Sequence, residues 1–146
     1  MELQFQVQAK IRKPIAEVFN AIYDPKKLSV YFARAQATGP LDEGTKVMWE
    51  FSEFPGAYPV YVREVRKNER ILFEWENTKT AKLLRVEMIF EKLDENSTLV
   101  KIRESGWRED QESLDESYHH CAGWMQMLCC LKVYVEEGKN LREFFI

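Results

Sequence analysis

His119 and His120 are the only imidazoles among 146 residues, so any histidine chemistry must run through them. Adjacent residues on a helix point about 100° apart, so the pair is poorly placed to share one metal. Asp115 with His119 and Glu116 with His120 are each spaced i, i+4 and could supply two ligands. No third ligand follows at a fitting spacing. One histidine facing a cavity as a hydrogen-bond donor is the sharper reading, and a solvated helix turn is the plain one. Glu104 is in register with Val100 and Ile102, which puts a carboxylate on a nominally apolar strand face. On a cavity wall it could orient a polar ligand group or act as a general base. At a rim it would simply pair with a lysine or arginine. Cys121, Cys129 and Cys130 have no basic neighbour to make a reactive thiolate. The chain has no nucleophile elbow, glycine-rich phosphate loop or histidine-based triad. Nothing in it commits the protein to catalysis, and no cofactor or metal is called for.

Aromatic side chains are the other resource. Trp49, Phe51, Phe73, Trp75, Met88 and Phe90 fall on strand-like segments, Trp107 sits where strand gives way to helix, and Trp124 and Leu128 lie on a helical stripe. With Glu104 and His120 they form the candidate ligand-binding set. The functional reading is a cavity whose aromatic walls stack on a flat molecule. The alternative is that the same rings fill the core.

The elements that must position these residues are well marked. Leu3, Phe5, Val7, Ala9 and Ile11 alternate with polar residues, which predicts a half-buried strand. Pro14 can open a helix, with Ile15, Val18, Phe19 and Ile22 on one face. Asp24-Pro25 starts a second short helix carrying Leu28, Tyr31 and Phe32. From Ala33 the helical period is lost, and strand-like runs follow through Val47–Phe51, Tyr58–Val65, Ile71–Trp75, Leu84–Phe90 and Thr98–Glu104, separated by short turns. Connections this short demand antiparallel pairing. Cys121, Trp124, Leu128, Leu131 and Val135 then recur at helical spacing. Ser113 with Glu116 reads as a capping box and Gly138 as the stop, giving a helix of roughly 24 residues, about 36 Å long. The expected fold is α+β: two short helices after the first strand, then an antiparallel sheet of six or seven strands curling around a long C-terminal helix. With no linker or repeat, residues 1–146 are expected to form a single domain.

Pro14-Ile15-Ala16-Glu17-Val18-Phe19 with Asp24-Pro25-Lys26-Lys27-Leu28, then Val62-Arg63-Glu64-Val65 leading to Arg70-Ile71-Leu72-Phe73-Glu74-Trp75, and finally Ser105-Gly106-Trp107 and Gly123-Trp124, follow a familiar order and spacing. The chain resembles the START-like superfamily with its helix-grip fold. Within it, the chain looks like the branch related to the C-terminal domain of the Hsp90 ATPase activator. The resemblance implies a small apolar or aromatic ligand, or a lipid, held between sheet and helix. It implies as alternatives a module that engages an Hsp90-type chaperone through its surface, or a cyclase- or hydrolase-like enzyme using the same cavity with Glu104 or His120 as acid and base. Where the family often has a Trp-Phe pair after the second short helix, this chain has Tyr31-Phe32. His119-His120 and Cys129-Cys130 match no role in the family.

Composition removes other classes. Twenty-one basic residues against 24 acidic ones give a net charge of −3, with no basic arm or block. Nucleic acid is therefore not an expected partner. No apolar run approaches the ~20 residues of a membrane span, and Met1-Glu2-Leu3-Gln4 opens directly into strand-like alternation rather than a leader. Three cysteines grouped in one helix do not form a disulfide framework, which points to a reducing cytoplasm. Asn96-Ser97-Thr98 is accordingly read as a hairpin turn. Free sheet edges could pair two copies, though nothing in the sequence specifies a homodimer.

Overall fold

Alternation of wet and dry side chains builds the sheet, as a computed structural model describing residues 1–145 makes plain. Strand β1 (Phe5–Ile11) turns Phe5, Val7, Ala9 and Ile11 inward and leaves Gln6, Gln8 and Lys10 in water. Helix α1 (Ile15–Tyr23) follows and buries Val18, Phe19, Ala21 and Ile22; Pro14 occupies the cap position rather than the first turn. Asp24 caps helix α2 (Pro25–Tyr31), its carboxylate accepting from the Lys26 amide at 2.9 Å. Tyr31 is fully buried, donates its hydroxyl to the Ala21 carbonyl at 2.9 Å and stacks on Tyr134 at 5.3 Å. That bond accounts for a phenol at a buried position.

Six further strands follow: β2 (Gln36–Ala37), β3 (Lys46–Glu50), β4 (Ala57–Arg66), β5 (Arg70–Glu76), β6 (Leu83–Asp94) and β7 (Ser97–Ser105). All pair antiparallel, in the order β1-β7-β6-β5-β4-β3-β2, as one sheet curled into a half barrel. The two-residue β2 was not expected, since so short a strand has no period to read. Gly106 ends β7 with a φ of 98°, and a Cβ there would stand 3.1 Å from the Leu83 carbonyl oxygen, so only glycine fits this exit.

Helix α3 (Gln111–Glu137) lies across the sheet and packs on β1. Its N-cap is Asp110, which accepts from the Ser113 amide at 2.8 Å, so the helix starts three residues before the Ser113 cap read from the sequence. An aspartate carboxylate adds full negative charge at the positive end of the dipole, an advantage a serine lacks. Gly138 closes the helix in left-handed conformation, with a φ of 68°. Trp124, Leu128 and Leu131 face the core as expected, joined by Met127 and Cys130, while Cys121 and Val135 are only partly buried. The stripe drifts because 3.6 residues per turn does not divide a regular spacing of three and four over 27 residues. No helix among the described residues is long and apolar enough to cross a membrane.

The last turns of α3 are tied to β1 by Glu136. Its side chain is 6% exposed and accepts from both the amide and the guanidinium of Arg12, each at 3.0 Å, and from Lys132. Lys132 also donates to the Lys10 carbonyl at 2.7 Å. Burial opposes the Glu136 charge, but these donors outweigh it and pull its pKa from 4.5 to about 2. A carboxyl whose folded pKa is depressed stabilises the fold above its unfolded pKa and loses that contribution as pH falls through the folded one. Thermal stability should therefore drop between pH 5 and pH 2, by a few kcal/mol at most for this group. Glu136→Gln should be less stable at pH 7, and its melting temperature should vary less with pH across that window.

Candidate functional site

At the end of the sheet where α3 begins, the helix stands away from the loop between β3 and β4. The gap is a cleft of about 660 Å³. Phe32, Phe51, Tyr58, Trp75 and Trp124 supply aromatic walls, and Phe54 and Phe145, each about half exposed, frame its mouth. Gly123 lines the helical side, and a Cβ placed on it meets nothing within 4 Å. The cleft is open partly because Gly123 places no side chain at this point of α3.

Glu104 lies beneath the wall with no exposure to solvent. Its Oε2 accepts from the Trp75 indole at 2.8 Å, and its Oε1 accepts from the Trp124 indole at 3.3 Å and from His120 Nδ1 at 2.8 Å. Neither the rim position nor the Lys/Arg partner weighed for a strand-end carboxylate is found. The imidazole lines the cleft, wedged edge-on against Trp107 with ring centres 4.8 Å apart and against Trp75 at 6.0 Å. His120 Nε2 stands 3.9 Å from Glu116 Oε2, and Glu116 itself takes Lys79 at 2.9 Å. That hydrogen bond to Glu116, with Glu112 and Asp115 adding negative charge, raises the Lys79 pKa. Among the described residues, no group of three or more His, Cys, Asp or Glu side chains could hold a metal ion.

The opposite wall is fixed from beyond α3. A short 3-10 turn (Leu141–Phe144), capped by Asn140, returns the chain to the cleft and inserts Arg142. Arg142 and Glu53 are 5% and 6% exposed and meet at 2.6 Å between Nε and Oε1. The guanidinium lies 5.5 Å from the centre of Phe32 and 5.9 Å from that of Phe51, within cation–π range. Burial pushes against ionisation of Glu53, but the Arg142 hydrogen bond and charge prevail and hold its carboxyl below the usual range. Nearby on α3, burial raises the Cys130 thiol to about 11, so it is not a nucleophile at neutral pH.

Of the residues singled out by sequence, Phe51, Trp75, His120 and Trp124 come together on the cleft, and Glu104 backs them. Trp107 sits behind His120 in a small cluster with Leu3 and Leu84. Trp49, Phe73, Met88 and Leu128 are wholly buried in the core, and Phe90 packs edge-on against Phe19 of α1 at 5.1 Å. Period-2 alternation tells which side of a sheet a residue faces, but not how far along the strand the helix stops covering it. Sequence reasoning passed over Phe54, Tyr58, Glu53 and Arg142. Phe54 in a proline–glycine turn was a visible signal, since a large apolar residue in a turn needs something to cover it. The buried pairing of Glu53 with Arg142, 89 positions apart, left none.

A curled antiparallel sheet gripping a long C-terminal helix, with two short helices after the first strand, is the architecture of the START-like superfamily. Within it, the chain belongs to the family described as Activator of Hsp90 ATPase homolog 1-like protein, which matches residues 12–136. Among solved structures, it is similar to the protein SSP2350 from Staphylococcus saprophyticus, at 24% identity and a TM-score of 0.80, covering 96% of each chain. The Aha1 dimer from Colwellia psychrerythraea is similar at 18% identity and a TM-score of 0.79, over 94% of this chain and 99% of that one. An Hsp90 activator from Plasmodium falciparum is similar at 22% identity and a TM-score of 0.72, over 93% and 96%. Identities this low carry the fold alone. No curated protein matches the chain.

Arg142 lies outside the matched segment yet helps to build the cleft. Replacing it with methionine leaves the Glu53 carboxylate buried and unpaired, which should cost about 3–5 kcal/mol. Adding Glu53→Leu should restore most of that loss in chemical denaturation. If the two losses simply add, the pair is not the tie that holds the C-terminal segment.

Proposed function

We propose that this protein binds a small apolar or aromatic molecule in the cleft between α3 and the β3–β4 loop, acting as a single START-like domain. The cleft itself carries the reading: about 660 Å³ of space walled by Phe32, Phe51, Trp75 and Trp124. Water against such rings is unfavourable by roughly 25 cal/mol for each Å² exposed, and a flat ligand would displace it. Phe54 and Phe145 at the mouth add apolar surface of the kind that marks a binding groove. All three cysteines are free, which supports a reducing compartment such as the cytoplasm.

Native mass spectrometry of the protein purified from its own host should reveal a co-purifying small molecule. A panel of lipids and flat aromatics should raise the melting temperature. Gly123→Leu should fill the cleft and abolish that shift. Losing the helical glycine should leave the empty protein as stable or stabilise it by up to about 1 kcal/mol. No adduct and no shift with any of the panel would defeat the reading.

Family membership favours a second reading, a surface that engages an Hsp90-type chaperone. It predicts that the purified protein stimulates such a chaperone's ATPase. Because that contact would not use the cleft, Gly123→Leu should stimulate equally well. A homodimer, as in the Colwellia structure, would be detected by the mass of the protein in solution.

A further inference from the structure

We propose that His120, held by Glu104, is the polar anchor of the cleft, and that its ligand is a flat aromatic molecule bearing a phenolic or enolic hydroxyl. The inference rests on the ligand-binding reading above and specifies its chemistry. A carboxylate at position 104 is costly. Its inward-facing neighbours Val100 and Ile102 are apolar and fully buried, and taking a carboxylate out of water costs several kcal/mol even when it is paired. An apolar side chain there would serve the core without that cost. What the carboxylate achieves is orientation, because all three of its partners are nitrogen donors.

An ionised carboxylate can only accept, so His120 Nδ1 must donate to it. In the neutral ring the lone pair then belongs to Nε2. That nitrogen has no hydrogen-bond partner among the described residues. Glu116 Oε2 is too distant at 3.9 Å, Lys79 holds that carboxylate through its other oxygen, Oε1, and the ring itself lines the cleft. Trp107 and Trp75 pack against the ring and prevent it from swinging to another partner. The cleft therefore presents one fixed acceptor beside the rings of Trp75 and Trp124. Glu104, Glu116 and Glu76 outnumber Lys79, the one cation paired at this end among the described residues, and disfavour a carboxylate or phosphate. A neutral donor in the plane of an aromatic ring meets every condition: its face lies against the indoles while the hydroxyl at its edge reaches Nε2.

Calorimetric titration with 2-naphthol and with 2-methylnaphthalene compares two molecules of nearly equal shape that differ by a hydroxyl against a methyl group. 2-Naphthol should bind the wild-type protein about tenfold more tightly. His120→Phe should erase that preference while keeping 2-methylnaphthalene within about twofold of wild type, which also shows that the variant is folded. Equal affinities in the wild type would overturn the anchor and leave the cleft reading standing. A preference that survives His120→Phe would overturn the assignment to His120. Binding of neither compound would overturn this inference, while the wider cleft reading would still stand or fall with the panel of lipids and aromatics.

Discussion

One buried charge organises this end of the molecule. Glu104 sits on β7, Trp75 on β5, and His120 and Trp124 on consecutive turns of α3, so a single carboxylate joins two strands and the helix that covers them. Uncompensated, such a charge would be intolerable in an apolar interior. Three nitrogen donors make it tolerable, and in satisfying it they lose their freedom to rotate. The cleft wall is rigid because its rings are hydrogen-bonded from behind. Of the four tryptophans, the two that line the cleft are the two that donate to Glu104; Trp49 and Trp107 have no acceptor among the described residues.

The other wall obeys the same electrostatics with different parts. Arg142 and Glu53 neutralise one another in a nearly dry setting, and the guanidinium also caps Phe32 and Phe51. These contacts reach from the C-terminal segment to the loop after β3, across the mouth of the cleft. The family match ends at residue 136, so the segment that finishes the cleft lies past the part of the chain that defines its family.

Much of the fold was legible because burial imposes a period. The alternations in β1, β6 and β7 and the stripe on α3 appear in the sequence at the residues that become buried or half-buried. The start of α3 was misread because two capping signals lay close together, and a serine–glutamate box is easier to recognise than the aspartate that actually holds the Ser113 amide. The site was legible in part. Glu104 announced itself by its wrong polarity, and His120 by being one of only two histidines. The division of the aromatics into cleft and core could not be read, because it depends on where a helix and a loop diverge in space. Tyr31 shows the same limit: its hydroxyl is explained by the Ala21 carbonyl, ten residues away and a neighbour only after α1 and α2 fold together.

The contacts that secure the C-terminal end of α3 also bear on the sheet's open borders. A border strand presents unpaired amides and carbonyls that invite another chain to add on. Here β2 is only two residues long, and along β1 the Lys10 carbonyl and, just past it, the Arg12 amide are already taken by Lys132 and Glu136. The helix side chains thus mimic a neighbouring strand. A copy extending the sheet past this end of β1 would first have to displace them.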